Sequence, residues 1–282
     1  NPFKTIQAAA DVAVAGDTVV VAPGVYREWE NPKNRGSVGN PVVFVSEQMG
    51  KAHITGAEQA KNWEKVEGNV YVARFPNKFF GDYNPFTTLV SGDWYIATII
   101  AHTGDVFLNG KSMYEVTSLD EVKNPVVNKS SWDPDFTVYT WYTEQDEKSD
   151  ETVIYANFQG KNPNEEDVEI SVRKHCFYPE AEGISYITLS GFTVSKAATQ
   201  WAPPTALQEG MIGPHWSKGW IIENNIIHDA KCSAVSIGKE ESTGHNMCTR
   251  TRKKPGYQYQ MEAVFRARRI GWDKGTIGSH II

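Results

Sequence analysis

Residues 186–197 (YITLSGFTVSKA) and 219–230 (GWIIENNIIHDA) align without a gap at an offset of 33. Ile187, Leu189, Phe192 and Val194 of the first copy fall opposite Trp220, Ile222, Asn225 and Ile227 of the second. In each copy apolar residues lie on both sides of a short polar corner, Ser190-Gly191 in one and Glu223-Asn224 in the other. That pattern predicts two short strands per copy, each with a buried and an open face. Asn224-Asn225 suits the left-handed geometry of a tight corner, and Asn side chains at equivalent corners can bond from one copy to the next. Ala234-Val235-Ser236-Ile237 adds a third strand, and Ser279-His280-Ile281-Ile282 begins a further copy. Equivalent short strands at a fixed spacing are the mark of a solenoid, in which each coil packs only on its neighbours.

The same kind of strand appears at the start of the chain. Residues 3–15 (FKTIQAAADVAVA) put Ile6, Ala9, Ala10 and Ala13 on one helical face and stop at Gly16. Asp17–Ala22 is a short apolar strand, broken by Pro23-Gly24 and followed by Val25-Tyr26-Arg27-Glu28. Pro41–Val45 and Ala52–Gly56 give two more. A helix followed by GDTVVVAPGVYRE resembles the cap and first coil of right-handed parallel β-helix proteins. Such a cap covers core and unpaired strand edge at the open end of the stack. The expected fold is therefore all-β: a right-handed parallel β-helix with an N-terminal capping helix. Its first coils occupy residues 1–69 and its continuation residues 176–282.

Residues 70–175 follow different rules. Val70–Ala73, Asp105–Lys111, Tyr139–Tyr142 and Thr152–Ala156 are strands rich in aromatic residues, and Asn109-Gly110 is a strong hairpin signal. Val168–Arg173 alternates as a half-exposed strand should. These features predict an antiparallel β-sandwich inserted after the first coils. Its aromatic residues read first as sandwich core, with a sugar platform as the competing role.

Composition narrows the partners. Of 282 residues, 40% are hydrophobic and 22% charged, which describes an ordinary globular protein. A net charge of −6 argues against nucleic acid or another polyanion and suits a neutral or cationic ligand. No apolar run reaches the roughly 18 residues of a membrane span, so no membrane partner is expected. Cys176, Cys232 and Cys248 form neither a disulfide framework nor a zinc pattern, and unpaired thiols point toward a reducing, cytoplasmic compartment. No metal-ligand spacing and no phosphate-binding glycine loop is present, so neither metal nor cofactor is expected. The chain opens at Asn1-Pro2-Phe3 and closes in an apolar strand, and reads as an N-terminal fragment of a longer protein.

Six stretches together carry a family resemblance: GDTVVVAPGVYREW (16–29), NKFFGDYNPF (77–86), GDVFLNGKSMYEVT (104–117), IYANFQGKNPNEEDVEI (154–170), residues 201–240 (WAPPTALQEGMIGPHWSKGWIIENNIIHDAKCSAVSIGKE) and GYQYQMEAVFRARRIGW (256–272). The chain resembles the β-xylosidases of glycoside hydrolase family 120. Short pieces such as NPNE or GDTV are common among β-helix enzymes, whereas the run from Trp201 to Glu240 is specific. The resemblance implies an immunoglobulin-like sandwich interrupting the β-helix, and retaining hydrolysis by an Asp nucleophile and a Glu acid/base. Both would lie beyond Ile282, so no catalytic residue is expected here and the fragment alone would be inactive. The substrate implied is a xylo-oligosaccharide or related small carbohydrate, and a homo-oligomer is compatible with it. A β-helix suits this chemistry: retaining hydrolysis needs carboxyl groups about 5–5.5 Å apart, and adjacent parallel strands lie about 4.8 Å apart.

The candidate sugar contacts are Trp201, Lys239, Glu240 and Trp216. Trp201 stands beside Pro203-Pro204, where its ring could stack on the C–H face of a pyranose or simply anchor the loop. Trp216 and His215 share that ambiguity. Lys239 and Glu240 follow the strand at 234–237, where they could bond sugar hydroxyls or form a strand-end ion pair. His228-Asp229 has the look of a catalytic dyad, but its place at the end of a repeat favours turn chemistry. Arg250, Arg252, Lys253, Lys254, Arg266, Arg268 and Arg269 read as a solvated or packing face. Two other classes remain open. A polysaccharide lyase would share the fold, although the acidic balance and the lack of a calcium constellation weigh against it. A non-catalytic carbohydrate-binding stalk would have uniform repeats, unlike the excursions at 198–218 and 241–275.

Overall fold

The computed structural model describes residues 2–92, 95, 98–201, 209–215, 217–237, 258, 261, 262, 265 and 278–282. The chain divides into two compact units. Asn1–Gly56, Ser91–Ile96 and Lys174–Ile282 form the first; Ala57–Val90 and Ala97–Arg173 form the second. The described elements are mostly strand, as the all-β reading requires. No described helix is long and apolar enough to cross a membrane.

Along the chain, helix α1 (Ile6–Ala10) precedes β1 (Thr18–Val21), β2 (Gly24–Tyr26), β3 (Val42–Ser46) and β4 (Ala52–Thr55). The second unit holds β5 (Ala57–Gln59), β6 (Glu64–Glu67), β7 (Val70–Pro76), β8 (Val106–Leu108), β9 (Lys111–Ser112), β10 (Tyr114–Glu115), α2 (Leu119–Lys123), β11 (Thr140–Asp146), β12 (Glu151–Asn157) and β13 (Val168–Ser171). The first unit resumes with β14 (Ile187–Ser190), β15 (Thr193–Ser195), β16 (Ile221–Glu223) and β17 (Ile226–His228).

In the first unit every strand pair among the described residues is parallel. One sheet runs β1-β3-β14-β16 and the other β2-β4-β15-β17, so each turn of the chain adds one strand to each sheet. The pairs Thr188↔Ile221 and Thr193↔Ile226 reproduce the offset read from the sequence. A third line of single parallel bridges joins Glu30, Phe177, Ile212 and Val235, so the strand expected at 234–237 is one bridge at Val235. Phe44, Ile54, Phe177, Leu189, Phe192, Val194 and Trp220 fill the interior. Phe44 meets Phe177 edge-on at 5.0 Å, and Phe177 meets Trp220 at 5.9 Å. Burying each such ring contributes about 1.5–3 kcal/mol.

The corners explain an oddity of the repeat, in which Asn225 takes the place of the apolar Phe192. Asn225 Oδ1 accepts from the Phe192 N–H at 2.8 Å, and its Nδ2 donates to the Leu189 carbonyl at 2.9 Å. The amide thus bonds backbone groups of the neighbouring coil at a corner where Asn224 is left-handed, with φ of 57°. At the other end, Thr5 Oγ1 caps α1 at the Ala8 N–H, and the Glu28 carboxylate accepts from the Ile6 and Gln7 N–H groups at 3.2 and 3.1 Å. The helix buries Ile6, Ala9 and Ala10.

The second unit begins at Ala57, where β5 pairs with β13. Its sheets run β10-β11-β12-β7-β6 and β5-β13-β8-β9. Pairing is antiparallel except between β10 and β11, which are parallel. Trp141, Ile154 and Ala73 from one sheet and Val106, Leu108, Val168 and Ile170 from the other share one apolar cluster. Asn109-Gly110 turns β8 into β9 with φ of 51° and 80°, the hairpin geometry its sequence demands. One expectation needs correcting. All four residues of β13 are buried, because the strand lies between β5 and β8 in the middle of its sheet.

Candidate functional site

The single bridges of the first unit bring distant segments together. Trp29 and Glu30, 174–178, 209–215 and 234–236 are neighbours only because Glu30, Phe177, Ile212 and Val235 pair in sequence. Phe177 and Ile212 turn into the core, and a ladder of rings forms beside them. Trp29 lies 5.5 Å from His175, His175 stacks on Tyr178 at 4.4 Å and 14°, and Tyr178 lies 5.3 Å from His215. Backbone carbonyls fix three of the four rings. Trp29 Nε1 donates to Tyr178 O at 2.8 Å, while His175 Nδ1 pairs with Gly210 O and His215 Nδ1 with Pro179 O, both at 2.8 Å. Two glycines permit the approach. A Cβ at Gly213 would lie 2.5 Å from Ser236 O and 2.8 Å from the Tyr178 ring, and one at Gly210 would lie 2.8 Å from Ser236 N.

His175 and Tyr178 are uncharged at physiological pH. Burial holds His175 down to about 4, with the Gly210 carbonyl opposing that shift. Burial also pushes the Tyr178 phenol well up, helped by Glu209 and Glu182. Tyr178 Oη and Ser236 Oγ are buried, and neither has a hydrogen-bond partner among the described residues. An ion pair between Lys174 and Glu209 lies beside them. His175 and Tyr178 are only 5% and 2% exposed, so these rings pack on one another and on the interior. Nothing in the ladder is activated as a nucleophile.

The other cluster that could carry chemistry lies across β4, β15 and β17. Ser195 Oγ bonds His53 Nε2 at 2.7 Å, whereas His228 Nδ1 bonds Asp229 Oδ2 at 2.6 Å. The hydroxyl and the carboxylate are held by different imidazoles, whose centroids are 6.3 Å apart, so no Ser–His–Asp relay is formed. Asp229 has a φ of 54°, the turn geometry expected at this position. In the strand registers of the first unit, two of the columns read Val20–Val45–Ser190–Glu223 and Val25–His53–Thr193–Ile226, and no register opposes two carboxylates. Among the described residues no group of three or more His, Cys, Asp or Glu could hold a metal.

A solved structure of XylC in complex with xylose superposes on this chain with a TM-score of 0.93 at 52% identity. Residues 60–170 match the family model for the insertion domain of glycoside hydrolase 120. The chain belongs to glycoside hydrolase family 120. The match to XylC covers 99% of this family 120 chain and 46% of XylC, so the chain spans about half of that protein's length. A further solved structure, of a glycoside hydrolase, is 12% identical with a TM-score of 0.44, over 75% of this chain and 54% of the other. No curated protein matches the chain.

In this family 120 chain, His215 is the one sequence candidate placed in the ladder. Trp201 sits elsewhere, half-buried, its ring 5.9 Å from Tyr95. Gln200 Oε1 fixes that neighbourhood by accepting from the Ser91 N–H at 3.0 Å and the Trp201 N–H at 2.8 Å. Lys239, Glu240 and Trp216 lie outside the described residues, as do Arg250, Arg252, Lys253, Lys254, Arg266, Arg268 and Arg269. Sequence reading missed Trp29, His175 and Tyr178. The available signal was weak: RKHCFYPE (173–180) packs two ring-bearing polar residues just ahead of a repeat copy.

Proposed function

We propose that this chain is part of a retaining glycoside hydrolase that removes terminal β-D-xylosyl units from xylo-oligosaccharides. The observation that carries this reading is the 52% identity, over 99% of the chain, to a protein whose solved structure holds xylose. The two parallel sheets and the bridge line are then coils of a right-handed parallel β-helix, capped by α1. The second unit is an immunoglobulin-like insertion, and a homo-oligomer is compatible with the assembly. Trp201, Trp216, Lys239 and Glu240 are proposed sugar contacts. The Asp nucleophile and Glu acid/base are assigned to coils outside these 282 residues. Neighbouring coils about 4.8 Å apart would set two carboxylates close to the roughly 5–5.5 Å that double displacement requires.

The test is nitrophenol release from an aryl β-D-xyloside by the whole protein, with the first-formed sugar anomer followed by NMR. Release of β-xylose is expected. Release of α-xylose overturns the retaining mechanism, and no release overturns the activity.

A further inference from the structure

The second unit holds out an indole that its own core does not use. Trp132 is 87% exposed, on the segment between α2 and β11. The segment is pinned from Asn128 to Thr137. The Asn128 N–H donates to Thr137 Oγ1 at 2.9 Å, and Asn128 Oδ1 accepts from the Ser130 N–H at 3.0 Å. Ser131 Oγ bonds Tyr114 Oη at 2.8 Å and accepts from the Asp133 N–H at 3.3 Å, while Thr137 Oγ1 donates to Pro134 O at 2.6 Å. Asp133 pairs with Lys111, whose Nζ stands 4.0 Å from the centre of the Phe136 ring and 5.6 Å from that of Trp132. Phe136 in turn stacks on Tyr139 at 4.5 Å. The residues around Trp132 are thus fixed while its ring faces water, forgoing the stabilisation that burying an indole would bring.

We propose that Trp132, with the Lys111–Asp133 pair and Ser131 at its rim, is a docking platform for a neutral β-linked pyranose chain of the xylan type. The identity of the sugar rests on the function proposed above; the surface is a second site, on the other unit. A pyranose presents a face of C–H groups edged by hydroxyls. An open indole flanked by an ammonium, a carboxylate and a hydroxyl complements that pattern. A protein partner would need about 800 Å² and a cluster of apolar anchors, and only Val126 and Val127 add large exposed apolar groups nearby in this segment. A pre-ordered loop loses little entropy on binding, which matters for a contact as small as one sugar ring.

Affinity electrophoresis of the whole protein, in gels with and without soluble neutral arabinoxylan, reads the platform directly. Wild type is expected to be retarded by the polysaccharide. Trp132→Ala should weaken the apparent association about tenfold, and Trp132→Phe should retain part of it. Aryl xyloside hydrolysis should be unchanged in both variants. An unretarded wild type, or equal retardation of Trp132→Ala, overturns the proposal. So does a Trp132-dependent dimer in sugar-free sedimentation, which would mark the patch as a protein contact. Retardation that depends on Trp132 without xyloside hydrolysis sustains the platform and removes the proposed activity; hydrolysis without retardation does the reverse.

Discussion

In the first unit β3 finds its partner β14 across the whole sequence of the second unit, with Val42 opposite Ile187. In the second, β11 and β12 pair across a single turn, with Asp146 opposite Glu151. Parallel neighbours cannot be joined by a tight turn, so each coil must match the next by equivalence of position. Antiparallel neighbours are specified locally, by turn chemistry and alternation. The contrast explains how one chain tolerates the other arrangement in its midst. In the first unit each strand pairs only with the strands beside it in its own sheet, so a long excursion between them leaves the register on either side intact.

The largest test of this comparison is a pair of core truncations. Phe192→Ala in the first unit and Phe158→Ala in the second each remove a fully buried ring, at an expected cost of about 3–5 kcal/mol. Hydrogen exchange in urea should place the loss in the amides of the altered unit alone. Equal loss in both units would break the division.

Next comes pH. His175 titrates near 6.5 when unfolded and near 4 in the folded protein. Between those values the unfolded chain binds the extra proton, so the first unit loses stability as pH falls through that window and is fully stabilised above it. The loss should be on the order of 3 kcal/mol by pH 4, read as a drop in unfolding midpoint that His175→Gln flattens. A second unit that responds equally would show that carboxylates, not His175, govern the acid limit.

The smallest effects separate crowding from torsion. A Cβ at Gly36 would lie 2.4 Å from Tyr186 O and 2.8 Å from Pro41 Cα, backbone atoms of the stack that cannot give way. Gly36→Ala should cost about 1–3 kcal/mol. Gly110 has open space around its Cβ position but a φ of 80°, so Gly110→Ala should cost about 1 kcal/mol from torsion alone. Equal thermal shifts would mean that the stack is more yielding than its geometry implies.

The sequence by itself determined where strands repeat, which corners need Gly or Asn, and that an antiparallel segment interrupts the series. These depend on neighbours within a few residues, or on positional identity between copies, and both are visible in one dimension. Tertiary structure alone decided that β13 is buried on both faces, since burial depends on what flanks a strand and not on its own alternation. It also decided that Ser195 and Asp229 serve different imidazoles, and that Trp29, His175, Tyr178 and His215 form one ladder. Those residues come from three stretches of chain with no motif among them. They meet because parallel bridges stack Glu30, Phe177 and Ile212, and that stacking is a property of the coils together.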